Sequence, residues 1–145
     1  MKIPNWPLVI CYDLSINKND YPEETAKLKE FVRRYAIYHE SLYYQEILEE
    51  NQKRLDELNA DLKKNEKEIK SLTKRTNKND KVISKETDSN KKFDLSNQNI
   101  ANRSRIELLN NMIVTLRAKI ENVNKVVEST KDSLRKLESQ SYQSE

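Results

Sequence analysis

The sequence predicts an all-α protein made of long, extended helices of the coiled-coil kind, preceded by a short extended apolar segment. Three observations lead there. The 145 residues include no glycine, the three prolines all fall within the first 22 positions, and apolar residues after Leu48 recur in steps of three and four. A fold of many short elements needs glycine at its sharp reversals, because glycine alone adopts positive φ freely. A chain without any makes few reversals, and its Glu, Lys, Leu and Asn suit long helices that share a core with other helices. An α-helical hairpin within a multi-chain bundle is the second architecture compatible with this pattern.

The first element, 1–20, is the most apolar stretch of the chain. Trp6, Leu8, Val9, Ile10, Tyr12 and Leu14 lie among Pro4, Pro7 and β-branched residues, which favour an extended backbone. Such a segment either folds back on the helix that follows or docks onto another subunit. That helix starts near Asp20, a candidate N-cap, with Pro22 in the first turn where its missing N–H costs nothing and Glu23 three residues after the cap. Residues 21–47 form an aromatic-rich head: Phe31, Tyr35, Tyr38 and Leu42 follow helical spacing, with Tyr43 and Tyr44 beside them. Phe31, Tyr35 and Tyr38 are assigned with the apolar segment to an N-terminal docking surface.

Residues 48–76 carry a first heptad segment. Leu48, Leu55, Leu62 and Ile69 occupy position a, and Asn51, Leu58, Asn65 and Leu72 occupy position d. Two asparagines weaken this seam and can fix its register. The same phase runs on through Thr76, Asn79, Ile83, Glu86, Asn90, Phe93, Asn97 and Ile100, so the stretch 77–100 reads as a weak helix or as a connection. A second heptad segment, 101–138, is far more apolar. Ile106, Ile113, Ile120, Val127 and Leu134 take a; Leu109, Leu116, Val123, Thr130 and Leu137 take d; Met112 and Val126 at g widen the stripe enough for a third helix. Residues 139–145 read as a loose polar tail.

A single helix cannot cover that stripe. Fixing each backbone residue costs about 1–2 kcal/mol, and burying a Leu or Ile returns roughly 1.5–3 kcal/mol only if a second surface lies against it. The expected cover is another coiled-coil chain. In a parallel in-register pair of identical chains, Arg75–Asp80 would attract but Asp61–Glu66 would repel, and the other flanks are indifferent. A non-identical partner therefore fits better than a copy. The chain could instead reverse within 73–94, where Asn, Asp and Ser can turn without glycine, pairing 48–72 with 106–137.

The residues offer little to catalysis. His39 is the sole histidine and Cys11 the sole cysteine; no Cys/His set has metal-ligand spacing, and no phosphate-cradling glycine loop can form. We expect no enzyme activity, no cofactor, no metal and no small-molecule substrate. One cysteine fits a reducing compartment, and no run approaches the ~20 apolar residues that span a bilayer, so a soluble intracellular chain without membrane insertion is expected.

Charge is segregated along the chain although the net charge is only +3. Residues 63–92 hold eleven basic and five acidic side chains, whereas 40–61 hold seven acidic and two basic. Nucleic acid could meet the basic stretch through Lys63, Lys64, Lys67, Lys70, Lys74, Arg75, Lys78, Lys81, Lys91 and Lys92. Against this stand the interspersed Glu66, Glu68 and Asp80 and the lack of aromatics to stack bases. The leading expectation is thus a non-catalytic subunit that assembles through coiled coils into a heteromeric complex. Scaffolds of kinetochore, spindle-pole, co-activator, autophagy or tethering type share this architecture. A nucleic-acid contact through the basic stretch is the alternative, and a homo-oligomeric spacer the third.

Overall fold

The structure, a computed structural model, describes residues 22–142. The apolar segment 1–20, with Trp6, Leu8, Val9, Ile10, Cys11, Tyr12 and Leu14, lies outside the described residues. Two helices, α1 (Pro22–Ile83, 62 residues) and α2 (Ser89–Tyr142, 54 residues), account for all the described residues except 84–88, and none of these residues is in a strand. The protein is all-α. Its two long helices pack against each other.

The chain forms two compact units, Met1–Glu50 with Val127–Glu145, and Asn51–Val126. The second contains the reversal. It is made without glycine and without any positive-φ residue among those described. The end of α1 tightens into i to i+3 bonds, with Lys85 N donating to the Val82 carbonyl at 3.0 Å and Glu86 N to that of Ile83 at 3.4 Å. Ser84 Oγ donates to the Lys81 carbonyl at 2.8 Å, and Glu86 Oε1 accepts from the Thr87 and Asp88 amides. Asp88 then caps α2, its Oδ1 accepting from Asn90 N at 3.0 Å. Short polar side chains thus satisfy the backbone groups that a glycine turn would otherwise rearrange.

In the second unit, α1 buries Leu55, Leu58, Asn65 and Thr76, with Leu62, Ile69, Leu72, Asn79 and Ile83 half-buried on the same face. From α2 come Asn99, Leu109, Ile113 and Val123, buried, and Leu95, Asn102, Ile106, Leu116 and Ile120, half-buried. The heptad phase read through 77–100 does not hold beyond the turn: Asn90, Phe93, Asn97 and Ile100 all point outward. Five non-helical residues break the angular count that a heptad depends on. Helix α2 starts its own phase at Leu95, Asn99 and Asn102, and this runs without a slip into Ile106 and Leu109.

In the first unit, Val127, Thr130 and Leu137 of α2 are buried and Leu134 is half-buried. The half-buried positions of α1 include Ile37, Ser41, Tyr44 and Leu48. This row is the heptad phase of Leu48 carried backward. The aromatic row Phe31, Tyr38 and Leu42 sits about one position round the helix and is exposed, with Tyr35 half-buried. Rings with a polar tip or an open flank tolerate that partial exposure better than the narrow space between two helices would tolerate them. Helix α2 also continues further than the tail assignment allowed. Residues 139–142 are helical, and Arg33 Nη1 donates to the Gln140 carbonyl at 3.1 Å.

Candidate interaction surface

The residues assigned from sequence to a partner seam divide by unit. Leu55, Leu58, Leu62, Ile69 and Leu72 of α1 and Ile106, Leu109, Ile113, Leu116, Ile120 and Val123 of α2 line the inward faces of the second unit; Leu48, Val127, Leu134 and Leu137 do so in the first. What lies alongside the isoleucine and leucine ridge is this chain's own α1. Leu109 is fully enclosed, at 0% exposure. Within each unit, α1 thus supplies the cover that the apolar stripe of α2 requires.

Polar contacts fix the register of the second unit. Asn99, 1% exposed, has both ends of its amide engaged: Asn79 Nδ2 donates to its Oδ1 at 3.0 Å, and its Nδ2 donates to Asp80 Oδ1 at 2.7 Å. Arg103 Nη2 reaches Asp80 Oδ2 at 3.3 Å from the same side. A buried amide with two specific partners penalises any slip of one helix past the other, because the slip would leave it unpaired. Two more ion pairs cross between the helices, Arg105 Nε to Glu68 Oε1 at 2.9 Å and Arg117 Nη2 to Glu66 Oε1 at 3.3 Å. The Arg105 hydrogen bond holds the Glu68 carboxyl below its ordinary range, and the same bond raises the Arg105 guanidinium. Both groups face solvent, so these pairs align the helices more than they stabilise them. Thr76 Oγ1 is the one buried side-chain polar atom, among those described, without a hydrogen-bond partner.

Outside the seam, α2 keeps apolar residues at the surface. Leu108 is 51% exposed and Met112 43%, one helical turn apart, although Leu109 between them is enclosed. Met112 stands at the edge of an open groove of the second unit, whose floor and walls include Asn65 and Lys64 of α1 and Thr115 and Leu116 of α2. Val126, the other residue expected to widen the stripe, is 47% exposed. Phe93, Ile100 and Val114 project elsewhere on α2, and sequence reasoning had placed the first two in the seam.

The first unit offers an aromatic face. Phe31, Tyr38, Leu42 and Tyr43 are exposed, and Tyr35 meets His39 edge-on at 5.9 Å between ring centroids. His39 is therefore part of the ring packing on the helix surface. Arg33 is clasped by Glu30 through two bonds of 3.0 and 2.8 Å, and that pairing raises its pKa. Among the described residues no three His, Cys, Asp or Glu side chains stand close enough to hold a metal ion, and no helix is long and apolar enough to cross a membrane. No protein family, curated protein or solved structure matches the chain.

Proposed function

We propose that the chain is a non-catalytic structural subunit whose two packed helices are completed by another helical protein, in the manner of a coiled-coil bundle within a heteromeric complex. The observation that carries this reading is the pair Leu108 and Met112, exposed at i and i+4, with Met112 at the edge of the groove of the second unit. An apolar step of that spacing next to a concave strip fits the side-chain ridge of a third helix.

The test compares the full chain with a Leu108→Gln, Met112→Gln variant. Glutamine keeps the helix propensity of both positions while removing the apolar step. Affinity purification from native extract, followed by size and mass measurement, should recover the wild-type chain with a stoichiometric helical partner and the variant without it. A wild-type chain recovered alone, or an equally complete complex with the variant, would refute the proposal. A stable homodimer of the isolated chain would replace the foreign partner with a copy.

A further inference from the structure

The basic stretch of α1 gains a different meaning once its side chains are placed. Lys63, Lys67, Lys70, Lys74, Lys78 and Lys81 follow one another at steps of four, three, four, four and three residues, and all six are exposed. At about 100° per residue they occupy a sector roughly 80° wide, nearly opposite the inward row of Leu62, Asn65, Ile69, Leu72 and Thr76. At about 1.5 Å of rise per residue the row is some 27 Å long. None of the six takes part in an ion pair.

The three carboxylates that interrupt this stretch in sequence do not interrupt it in space. Glu66, Glu68 and Asp80 all fall outside the lysine sector, and each is taken up by an arginine of α2: Arg117, Arg105 and Arg103. The arginines neutralise the acids along the flanks of the helix pair and leave the outer face purely cationic. Lys64 and Arg75 belong to the flank, not to the row, and Asp56, seven residues before Lys63 on the same line, lies beyond its N-terminal end.

We propose that this row of six lysines is a sequence-independent contact for the phosphate backbone of duplex DNA. A narrow, straight line of positive charge suits a polymer with one phosphate charge per ~1.7 Å of axis, because each neutralised phosphate releases condensed counterions. Exposed pairing of the same lysines with carboxylates of a protein would gain little for each contact. Thr73 and Asn77 border the row beside Lys70, Lys74, Lys78 and Lys81, and their hydroxyl and amide groups can donate to phosphate oxygens. No aromatic side chain lies on the face to stack unpaired bases, which turns the reading from single strands to duplex. No large apolar side chain lies on it to enter a bilayer, and a line one residue wide matches a phosphate strand better than a plane. B-form DNA presents those strands beside a major groove wide enough for a helix, whereas the major groove of duplex RNA is deep and narrow.

The experiment titrates the full chain against a mixed-sequence 20-base-pair DNA at several salt concentrations, beside a matching RNA duplex and vesicles containing anionic lipid. With six phosphates neutralised, log K should fall against log salt with a slope of about −5, a loss of roughly a thousandfold between 50 and 200 mM. A Lys67→Gln, Lys74→Gln, Lys81→Gln variant should lower that slope by about 3 and weaken binding at least tenfold near 100 mM salt. A control with the same net charge, Lys125→Gln, Lys131→Gln, Lys136→Gln, should stay within about threefold of wild type if the row rather than bulk charge is read. Absence of DNA binding near 50 mM salt overturns the proposal. So do equal losses in the two variants, or tighter binding to RNA or to vesicles. The wild-type salt slope decides the matter even if a variant folds poorly.

Discussion

Leu109 and Leu108 are neighbours in sequence with opposite surroundings, which makes one substitution into two measurements. Leu109 is 0% exposed between the helices of the second unit, whereas Leu108 is half open to solvent. Replacing Leu109 by alanine removes the transfer free energy of an enclosed side chain and leaves a cavity that two long helices can only partly close. The expected cost is about 3 kcal/mol, within the roughly 2–5 kcal/mol range for such sites. Leu108→Ala removes little buried surface and substitutes the best helix former, so the change should stay within about 0.5 kcal/mol. Urea unfolding followed by circular dichroism at 222 nm reads both. With an m value of about 2 kcal/mol per M, the midpoint for Leu109→Ala should fall by about 1.5 M while that of Leu108→Ala barely moves. Equal shifts, or a loss below about 1 kcal/mol for Leu109→Ala, would mean that the ridge is not packed against α1 in this register.

Three further substitutions examine the polar features of the interface. Asn99→Ala removes the buried amide that Asn79 and Asp80 share and should cost about 2 kcal/mol in the same unfolding assay, so an unchanged midpoint would show that Asn79 and Asp80 do not depend on it. Thr76→Val replaces an unpartnered buried hydroxyl with a methyl group of the same shape and should stabilise by about 1 kcal/mol; destabilisation would show that Oγ1 has a partner. Glu68 has a lowered pKa in the folded chain, so its contribution is present above the ordinary carboxylate value of about 4.3 and is lost as pH falls through the lowered folded value. The difference in unfolding midpoint between wild type and Glu68→Gln should therefore be constant near neutrality and vanish in strong acid. A difference that grows on acidification would reverse the assignment.

The helices and their inward faces were legible where the side chains obeyed one rule at a time. Ile106, Leu109, Ile113, Leu116 and their successors repeat in one phase with almost no polar interruption, and the structure turns them all inward. The inward phase of α1 before Leu48 follows from the same rule: carrying Leu48 and Asn51 backward gives Tyr44, Ser41 and Ile37, beside the outward row of Phe31, Tyr38 and Leu42. Near the turn apolar character is no guide, because Phe93 and Ile100 lie outside while Asn99 is enclosed. An asparagine is an improbable core residue until its partners, Asn79 and Asp80, are brought to it by the reversal, and those contacts span some twenty positions. The reversal falls within 73–94, where only the second architecture called for one, and carries no glycine to mark it. Helical spacing alone places the lysine row apart from Glu66, Glu68 and Asp80, but the arginines of α2 that pair with those acids could not be read from sequence order.

The account rests on the covering of the α2 ridge by α1 of the same molecule, which leaves only the outer apolar residues for a partner. The most direct test is the urea midpoint of the isolated chain over a hundredfold range of concentration, from about 1 to 100 µM. An intramolecular interface gives a midpoint that does not move. A midpoint that climbs steadily with concentration would place the ridge between separate chains and contradict the structure at its centre.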